Sequence, residues 1–168
     1  MLKTAVFTIV SKNYWSLART LMQSLAANQP GWERHVLLAD RLADHTLPDD
    51  GLFTISLVED LDLPKKKSFL FRYTVLELNT AVKPWMFGHL RKQGYQRIIY
   101  LDPDILVLKP LHDVESLLEQ GASAVVTPHL TAPLEDNCRP SELDIMRSGS
   151  YNLGFLALGN TEQSDRII

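Results

Sequence analysis

The sequence predicts an α/β fold, with a mostly parallel central sheet and helices on both faces. Short apolar runs rich in β-branched residues alternate with segments of helical periodicity, an order typical of parallel sheets whose strands are buried on both sides. The 168 residues are 45% hydrophobic, which is enough for one sizeable core. No repeat, low-complexity tract or linker divides the chain, so residues 1–168 are expected to form a single domain.

The predicted elements follow one another along the chain. Six strands are predicted from short apolar runs: Ala5–Val10, His35–Ala39, Phe53–Val58, Arg97–Leu101, Ser123–Thr127 and Leu153–Leu158. Four helices are predicted from apolar residues at helical spacing: Tyr14–Asn28, Ser68–Asn79, Trp85–Gln93 and Leu111–Gln120. Gln29-Pro30-Gly31 ends the first helix, Pro84 separates the second from the third, and Gly94 ends the third. A turn is expected around Pro48–Gly51, and Asn160–Glu162 opens a further helical segment.

Composition excludes several classes of protein. A net charge of -3 and a pI near 5.9 argue against a broad nucleic-acid-binding face. The single cysteine, Cys138, cannot form an internal disulfide framework or a cysteine-rich zinc site, which suits a reducing cytosol. The amino-terminal apolar segment is too short for a signal peptide, and no segment has the length of a membrane span. We expect a cytoplasmic protein, with peripheral association at a membrane left open.

An acidic pair, Asp102 and Asp104, ends the apolar run Arg97–Leu101 and precedes a second apolar run, Ile105–Leu108. Two carboxylates separated by one residue project to the same side of an extended chain, so both can offer oxygens to one hard divalent cation. Pro103 has no backbone donor and suits the point where a strand leaves its ladder. The pair therefore predicts a cation site that could hold a diphosphate.

Two other polar segments follow predicted strands. They are Ser11–Tyr14 after the first strand and the corner Thr127–His129. In open α/β sheets, ligands collect beyond the carboxyl ends of the strands, where these segments and the acidic pair would meet. Tyr14 could stack on a base, and a metal held by the aspartates would neutralise a diphosphate. The set is coherent for a nucleotide ligand.

Each of these features also has an ordinary structural interpretation. Two carboxylates one residue apart are often only an acidic turn. Glu59–Asp62 has the same spacing but leads into Lys65–Lys67, and we interpret it as a solvated charged loop. Lys83 could be a solvent-facing lysine at a helix end. We favour His129 as a hydrogen-bonding residue at a strand end over a metal ligand.

Other residues are interpreted most simply as structural. Trp15, Trp85 and Phe87 lie among helix-spaced apolar residues and are assigned to the core. Asn152 and Gly154 could serve only in a turn and in strand packing.

Five segments together resemble a nucleotide-sugar glycosyltransferase of the GT-A fold, over nearly the whole chain. The segments are Asn13-Tyr14, Thr80-Ala81-Val82-Lys83-Pro84, Ile99–Val107 with its Tyr-Leu-Asp-Pro-Asp core, Lys109-Pro110-Leu111, and Tyr151-Asn152-Leu153-Gly154-Phe155. The nearest relatives by this resemblance are family 8, the group of glycogenin and the bacterial lipopolysaccharide galactosyltransferases. The resemblance implies a Rossmann-like nucleotide-sugar-binding domain in which an apolar strand follows the acidic pair.

The resemblance also implies roles for single residues. Asp102 and Asp104 would bind Mn²⁺ or Mg²⁺, which bridges the donor diphosphate and acts as a Lewis acid on the leaving group. Donor contacts fall on five residues: Thr8, Asn13, Tyr14, Lys83 and Asn152. Family members usually retain the anomeric configuration and need no protein nucleophile, so no catalytic nucleophile is named. A third metal ligand has no counterpart before Ile168, so an amino-terminal fragment lacking the acceptor segment is expected.

The leading hypothesis is a metal-dependent glycosyltransferase of glycan biosynthesis. A UDP-sugar is the favoured donor, and the acceptor hydroxyl could belong to a glycan, a lipid or a protein. One alternative is a non-catalytic nucleotide-sugar-binding half-domain. A haloacid-dehalogenase-type phosphatase ranks third, because its Asp-x-Asp motif usually lies near the chain start and continues with a small residue, whereas Ile105 follows here.

Overall fold

The computed structural model describes residues 2–40, 51–132 and 139–168. The strands are β1 (Thr4–Val10), β2 (Glu33–Leu38), β3 (Thr54–Leu57), β4 (Arg97–Leu101), β5 (Ala124–Pro128) and β6 (Tyr151–Leu158). The helices are α1 (Trp15–Asn28), α2 (Lys66–Phe71), α3 (Val75–Ala81), α4 (Lys83–Lys92), α5 (His112–Glu119), α6 (Glu142–Ser148) and α7 (Glu162–Asp165). Two 3₁₀ turns, Lys12–Tyr14 and Val58–Asp60, follow β1 and β3.

The strands form one six-stranded sheet in the order β3-β2-β1-β4-β6-β5. β1 pairs in parallel with both β2 and β4, and β2 pairs in parallel with β3. Only β6 runs the other way, because it is antiparallel to both β4 and β5. The predicted mostly parallel α/β sheet is therefore confirmed. Five strands end at one edge of the sheet, and β6 begins at that same edge.

The core lies on both faces of the sheet, as the apolar strands predict. All seven residues of β1 are buried. Alternate residues point to opposite faces. Phe7 and Ile9 pack on one face with Met86, Phe87 and Leu90 of α4. On the other face, a second cluster contains these buried side chains of β1, α1 and α5: Val6, Val10, Ala18, Leu21, Met22, Leu25 and Leu118. The central position of β1 and β4 fixes where their carboxyl ends emerge.

The structure corrects two predictions for the middle of the chain. The helix predicted for Ser68–Asn79 is two helices, because Thr74 starts α3 with a capping box to Glu77. The run Ile105–Leu108, expected as a strand after the acidic pair, has no strand pairing. The backbone N–H of Ile105 donates to Asp102 O at 3.1 Å, so the chain turns immediately after β4.

Two further differences lie near the carboxyl-terminal half. Helix α6, capped by Ser141, was not predicted. Strand β6 begins at Tyr151, two residues before the predicted start, so Asn152 and Gly154 lie within a strand. Cys138 and the Pro48–Asp50 part of the predicted turn lie outside the described residues. Among the described ranges, no helix has the length and apolarity needed to cross a membrane.

Candidate active site

A cleft of about 370 Å³ lies at the edge of the sheet where β1 and β4 end. Its lining combines both strand ends with α3, α4 and β6: Ile9, Val10, Tyr14, Leu76, Asn79, Thr80, Lys83, Tyr100, Asp102, Pro103, Asp104 and Leu153. Hollows of similar volume occur elsewhere on the molecule, so size does not single this one out. Its position does, because here an acidic pair and a lysine face one space at the carboxyl ends of β1 and β4. The hollow lined by Asp60, Asp62 and Lys92 contains neither strand end. The position is the one where open α/β sheets bind ligands.

Asp102 is held firmly at the end of β4. Its backbone N–H donates to Gly154 O at 2.8 Å, and its Oδ1 accepts a hydrogen bond from the Tyr100 hydroxyl at 2.5 Å. Asp104 is exposed two residues later and also lines the cleft. One carboxylate is therefore oriented by the protein, while the other faces solvent.

Gly154 makes room for the second oxygen of Asp102. A Cβ built at Gly154 would lie 2.6 Å from Asp102 Oδ2 and 3.0 Å from Asn152 Oδ1. These two oxygens thus converge on the space that the missing side chain leaves. Asn152 is exposed, and its Oδ1 accepts from the Gly154 N–H at 2.9 Å. The Asn-x-Gly segment brings the asparagine beside the first aspartate.

Tyr100 is a buried member of the core whose hydroxyl reaches the cleft. Its ring lies 5.2 Å from that of Phe7. Burial, followed by the hydrogen bond to Asp102 and the charges of Asp102 and Asp104, raises the pKa of the Tyr100 hydroxyl. The phenol therefore stays protonated at neutral pH and donates to the carboxylate.

Lys83 brings a positive charge to the same site. Its Nζ donates to Leu153 O at 2.9 Å and lies 3.8 Å from the centroid of the Tyr100 ring. Burial lowers the pKa of the Lys83 ammonium, and the nearby Asp102 carboxylate partly opposes that effect. The cation is thus fixed between a carbonyl, an aromatic face and the acidic pair, rather than extended into solvent as a helix-end lysine would be.

The residues predicted on β1 and its loop occupy three different environments. Tyr14 is 47% exposed and lines the cleft. Asn13 lies in the same 3₁₀ turn and is exposed, but it is not in the lining. Thr8 is wholly buried within β1, away from the lining. A wholly buried side chain cannot contact a ligand without a rearrangement, so we leave Thr8 out of the donor contacts proposed below.

Sequence reasoning missed Asn79. It lines the cleft from α3, and its Nδ2 donates to Ser11 Oγ at 3.2 Å, which ties α3 to the end of β1. The sequence carried no signal for it, because Asn79 lies on α3 and Lys83 on α4, and only the fold brings both helices to the cleft. The roles of Tyr100 and Gly154 were also missed, although both lie inside the quoted motifs.

The ordinary interpretations of three other features are confirmed. The ring Nδ1 of His129 lies 2.8 Å from Gly149 O, and its backbone N–H donates to Ser150 O. Asp60 Oδ2 accepts from the Leu57 N–H, and Asp62 pairs with Lys92 at 3.0 Å. Of the aromatic residues assigned to the core, Phe87 is buried within it, and Trp15 and Trp85 are partly buried against it.

The acidic pair has the donor chemistry of a hard-cation site. Within residues 2–40, 51–132 and 139–168, no group of three or more His, Cys, Asp or Glu side chains could hold a metal ion. Mg²⁺ commonly takes only one or two carboxylates and completes its shell with phosphate and water. Asp102, with Oδ2 facing the cavity above Gly154, and exposed Asp104 fit such an ion.

No protein-family profile matches the sequence, and no curated protein matches it. Solved structures of glycosyltransferases do match the fold. The galactosyltransferase LgtC, solved with donor and acceptor sugar analogues, is 15% identical over 96% of this chain and 59% of its own, with a TM-score of 0.51. Mouse xyloside xylosyltransferase 1 is 13% identical over 98% of this chain and 68% of its own, with a TM-score of 0.57.

A third match is core-mannan synthase A from Aspergillus fumigatus in its Mn/GDP form. It is 10% identical over 99% of this chain and 63% of its own, with a TM-score of 0.53. The chain has the GT-A fold. It spans less than two thirds of the length of LgtC and of the mannan synthase. At these identities the likeness establishes the fold, and the function must be argued from the cleft.

Proposed function

We propose that this chain forms the donor-binding part of a metal-dependent glycosyltransferase. It would move a sugar from a nucleoside diphosphate, with UDP favoured, to a hydroxyl acceptor, in the manner of family 8. The observation that carries the proposal is the meeting of Asp102, Asp104 and Lys83 in one cleft, with Asn152 beside Asp102. These residues come from three separate segments, and their charges suit a diphosphate joined to a sugar.

Each residue has a distinct task in this proposal. Asp102 and Asp104 would hold Mn²⁺ or Mg²⁺, which supplies Lewis-acid stabilisation of the departing diphosphate. The Lys83 ammonium would neutralise a phosphate oxygen or hold a sugar hydroxyl, because it already lies within the cleft. Tyr14 would stack on the base, with Asn13 contacting the nucleoside from the same turn. The Asn152 carboxamide would orient the transferred sugar beside Asp102.

The resemblance to family 8 supports transfer with retention of the anomeric configuration. No nucleophile is assigned among the cleft residues, since the departing phosphate oxygen can itself accept the proton of the incoming hydroxyl on the same face. The donor and acceptor analogues bound to LgtC and the Mn and GDP of core-mannan synthase A are ligands of the same general chemistry. They support the choice of ligand class for this cleft.

The deciding experiment is calorimetry of UDP binding with and without Mn²⁺, on the native chain and on Asp104→Asn. We expect the variant to lose Mn²⁺-dependent binding while its melting temperature stays within a few degrees, because Asp104 is exposed and outside the core. Asp62→Asn is the matched control, since that exposed carboxylate lies outside the cleft lining. Unchanged Mn²⁺-dependent binding in Asp104→Asn would refute the metal assignment.

A second candidate is a nucleotide-sugar-binding half-domain without activity of its own. It is favoured by the presence of only two carboxylates at the site among the described residues. Hydrolysis and transfer assays with UDP-sugars separate the two candidates. Donor binding without turnover supports the half-domain, whereas metal-dependent release of UDP supports the enzyme.

A further inference from the structure

Helix α2 carries the most basic short segment of an otherwise acidic protein. Residues 65–72 read Lys-Lys-Lys-Ser-Phe-Leu-Phe-Arg, with four cations and no acid, in a chain of net charge -3. Clusters of four or more cations next to apolar side chains are typical of segments that bind anionic lipid surfaces. The arrangement of these side chains on the folded protein decides whether that chemistry faces outward.

The inner side of α2 is anchored to the core. Phe69 packs with its ring 5.2 Å from Tyr73 and 6.1 Å from Trp85, and Leu70 contacts the same cluster. Lys66 is half-buried and its Nζ donates to Glu59 O at 2.5 Å. The helix is therefore held in a fixed orientation, because the face that carries Phe69 and Leu70 packs against the core.

The outer side of α2 combines charge with an uncovered aromatic ring. Phe71 is 94% exposed, and Lys65, Lys67 and Arg72 are exposed around it. Lys67 and Phe71 are four residues apart and so lie on one face of the helix. A phenylalanine that is almost wholly in water is unfavourable, because its apolar ring stays hydrated. Exposed apolar side chains that are contiguous and flanked by cations are typical of an interaction surface.

The same surface continues to the mouth of the cleft. The first residues of α3, Val75 and Leu76, are 56% and 80% exposed, and Leu76 is also part of the cleft lining. The one acid in residues 65–81 is Glu77, whose carboxylate accepts hydrogen bonds from Thr74 in the capping box. The surface is thus basic and apolar up to the edge of the cleft.

We propose that Lys65, Lys67, Phe71, Arg72, Val75 and Leu76 form a docking surface for an anionic phospholipid bilayer. The cations would meet lipid phosphates while Phe71 and Leu76 enter the boundary between headgroups and acyl chains. Because Leu76 belongs to both features, docking would place the cleft mouth at the membrane. If the glycosyltransferase proposal holds, the acceptor hydroxyl then belongs to a membrane-bound molecule.

The test is co-sedimentation of the chain with two kinds of vesicle, one of phosphatidylcholine alone and one that also contains about 30% phosphatidylglycerol. We expect weak, reversible binding to the anionic vesicles only, lost in high salt because the charges are screened. Replacing Lys65, Lys67 or Arg72 by glutamine, one at a time, should lower binding to the anionic vesicles about fivefold for each residue. Phe71→Ala should lower it about tenfold. Equal binding to both vesicles, or variants that bind like the native chain, would overturn the proposal.

Two controls keep the result specific. Arg166→Gln removes the same charge from the residue after α7, where Arg166 pairs with Glu162, and should leave vesicle binding unchanged. The exposed residues changed in the test are not in the cleft lining, so calorimetric UDP binding should also be unchanged, which separates this proposal from the proposed function. Tight binding to poly-glutamate that is insensitive to Phe71→Ala, without vesicle binding, would assign the surface to an acidic polymer and refute the membrane.

Discussion

Replacing Gly154 by alanine tests how the proposed metal site is built. The new Cβ would lie 2.6 Å from Asp102 Oδ2 and 3.0 Å from Asn152 Oδ1, whereas an ordinary contact of this kind begins at 3.4 Å. The carboxylate must therefore retreat by about 0.8 Å along that line, or the strand must shift. The backbone bond from Asp102 N to Gly154 O restricts the second response, because it ties the two residues at 2.8 Å.

The displacement moves both carboxylate oxygens of Asp102: Oδ2, which faces the cavity, and Oδ1, which accepts the hydrogen bond from Tyr100. The Tyr100 hydroxyl bond to Asp102 Oδ1 is 2.5 Å long, and a shift of this size would weaken or break it. Loss of the groups that orient metal ligands typically costs about 10- to 100-fold in metal affinity. We expect a loss in this range for Mn²⁺ in Gly154→Ala. Tyr100→Phe, which removes the hydroxyl alone, should fall at its lower end.

Mn²⁺ binding is measured by calorimetry or electron paramagnetic resonance at saturating UDP, with thermal melting of each variant alongside. Gly31→Ala is the control, because a Cβ at Gly31 meets nothing within 4 Å. Native Mn²⁺ affinity in a folded Gly154→Ala protein would show that the position of Asp102 does not matter. The reasoning from the missing side chain would then fail.

Two predictions concern stability. Arg91 Nη1 donates to Tyr95 O at 3.0 Å and to Gln96 O at 2.7 Å, and its Nη2 donates to Gly159 O. Arg91→Ala should therefore lower the free energy of unfolding in urea by about 3 kcal/mol. The exposed control Arg166→Ala should lower it by less than about 0.5 kcal/mol. Burial lowers the pKa of His35 from 6.5 to about 4, so the unfolded chain binds more protons between these values and stability falls as pH drops through that window. The loss should reach about 1.6 kcal/mol from pH 6.5 to 5. His35→Gln should flatten this pH dependence of stability, while exposed His112→Gln should not. A slope retained in His35→Gln would refute the assignment.

The sheet was predictable because its strands carry a strong and local signal. Apolar runs such as Ala5–Val10 are buried on both faces, and nothing in their composition competes with strand formation. Ile105–Leu108 has similar composition but fails as a strand. Leu106 and Leu108 are 55% and 79% exposed, and the turn after Asp102 carries the segment away from the sheet. Hydrophobicity predicts burial only where the topology supplies a neighbouring strand.

The division of residues 66–81 into two helices was not predictable from periodicity. The apolar residues keep nearly helical spacing across the break, while the capping box of Thr74 and Glu77 starts a new helix. The capping box starts a new helix at Thr74 even though the helical spacing of the apolar residues continues across that point. Its consequence is functional, because α3 then presents Leu76, Asn79 and Thr80 to the cleft.

The candidate site shows where sequence reasoning ends. The acidic pair could be recognised from spacing, because both aspartates lie in one short segment directly after β4. The partners of Asp102 could not, since Lys83 and Gly154 reach it from elements that are 19 and 52 residues away along the chain. Only the folded chain shows that Gly154 on β6, which has no side chain, faces an oxygen of Asp102 directly after β4. The glycine of the Asn-x-Gly segment therefore sets the position of the first carboxylate of the acidic pair. Gly154→Ala changes that position while it keeps both carboxylates, whereas removal of Asp102 or Asp104 changes the number of metal ligands as well.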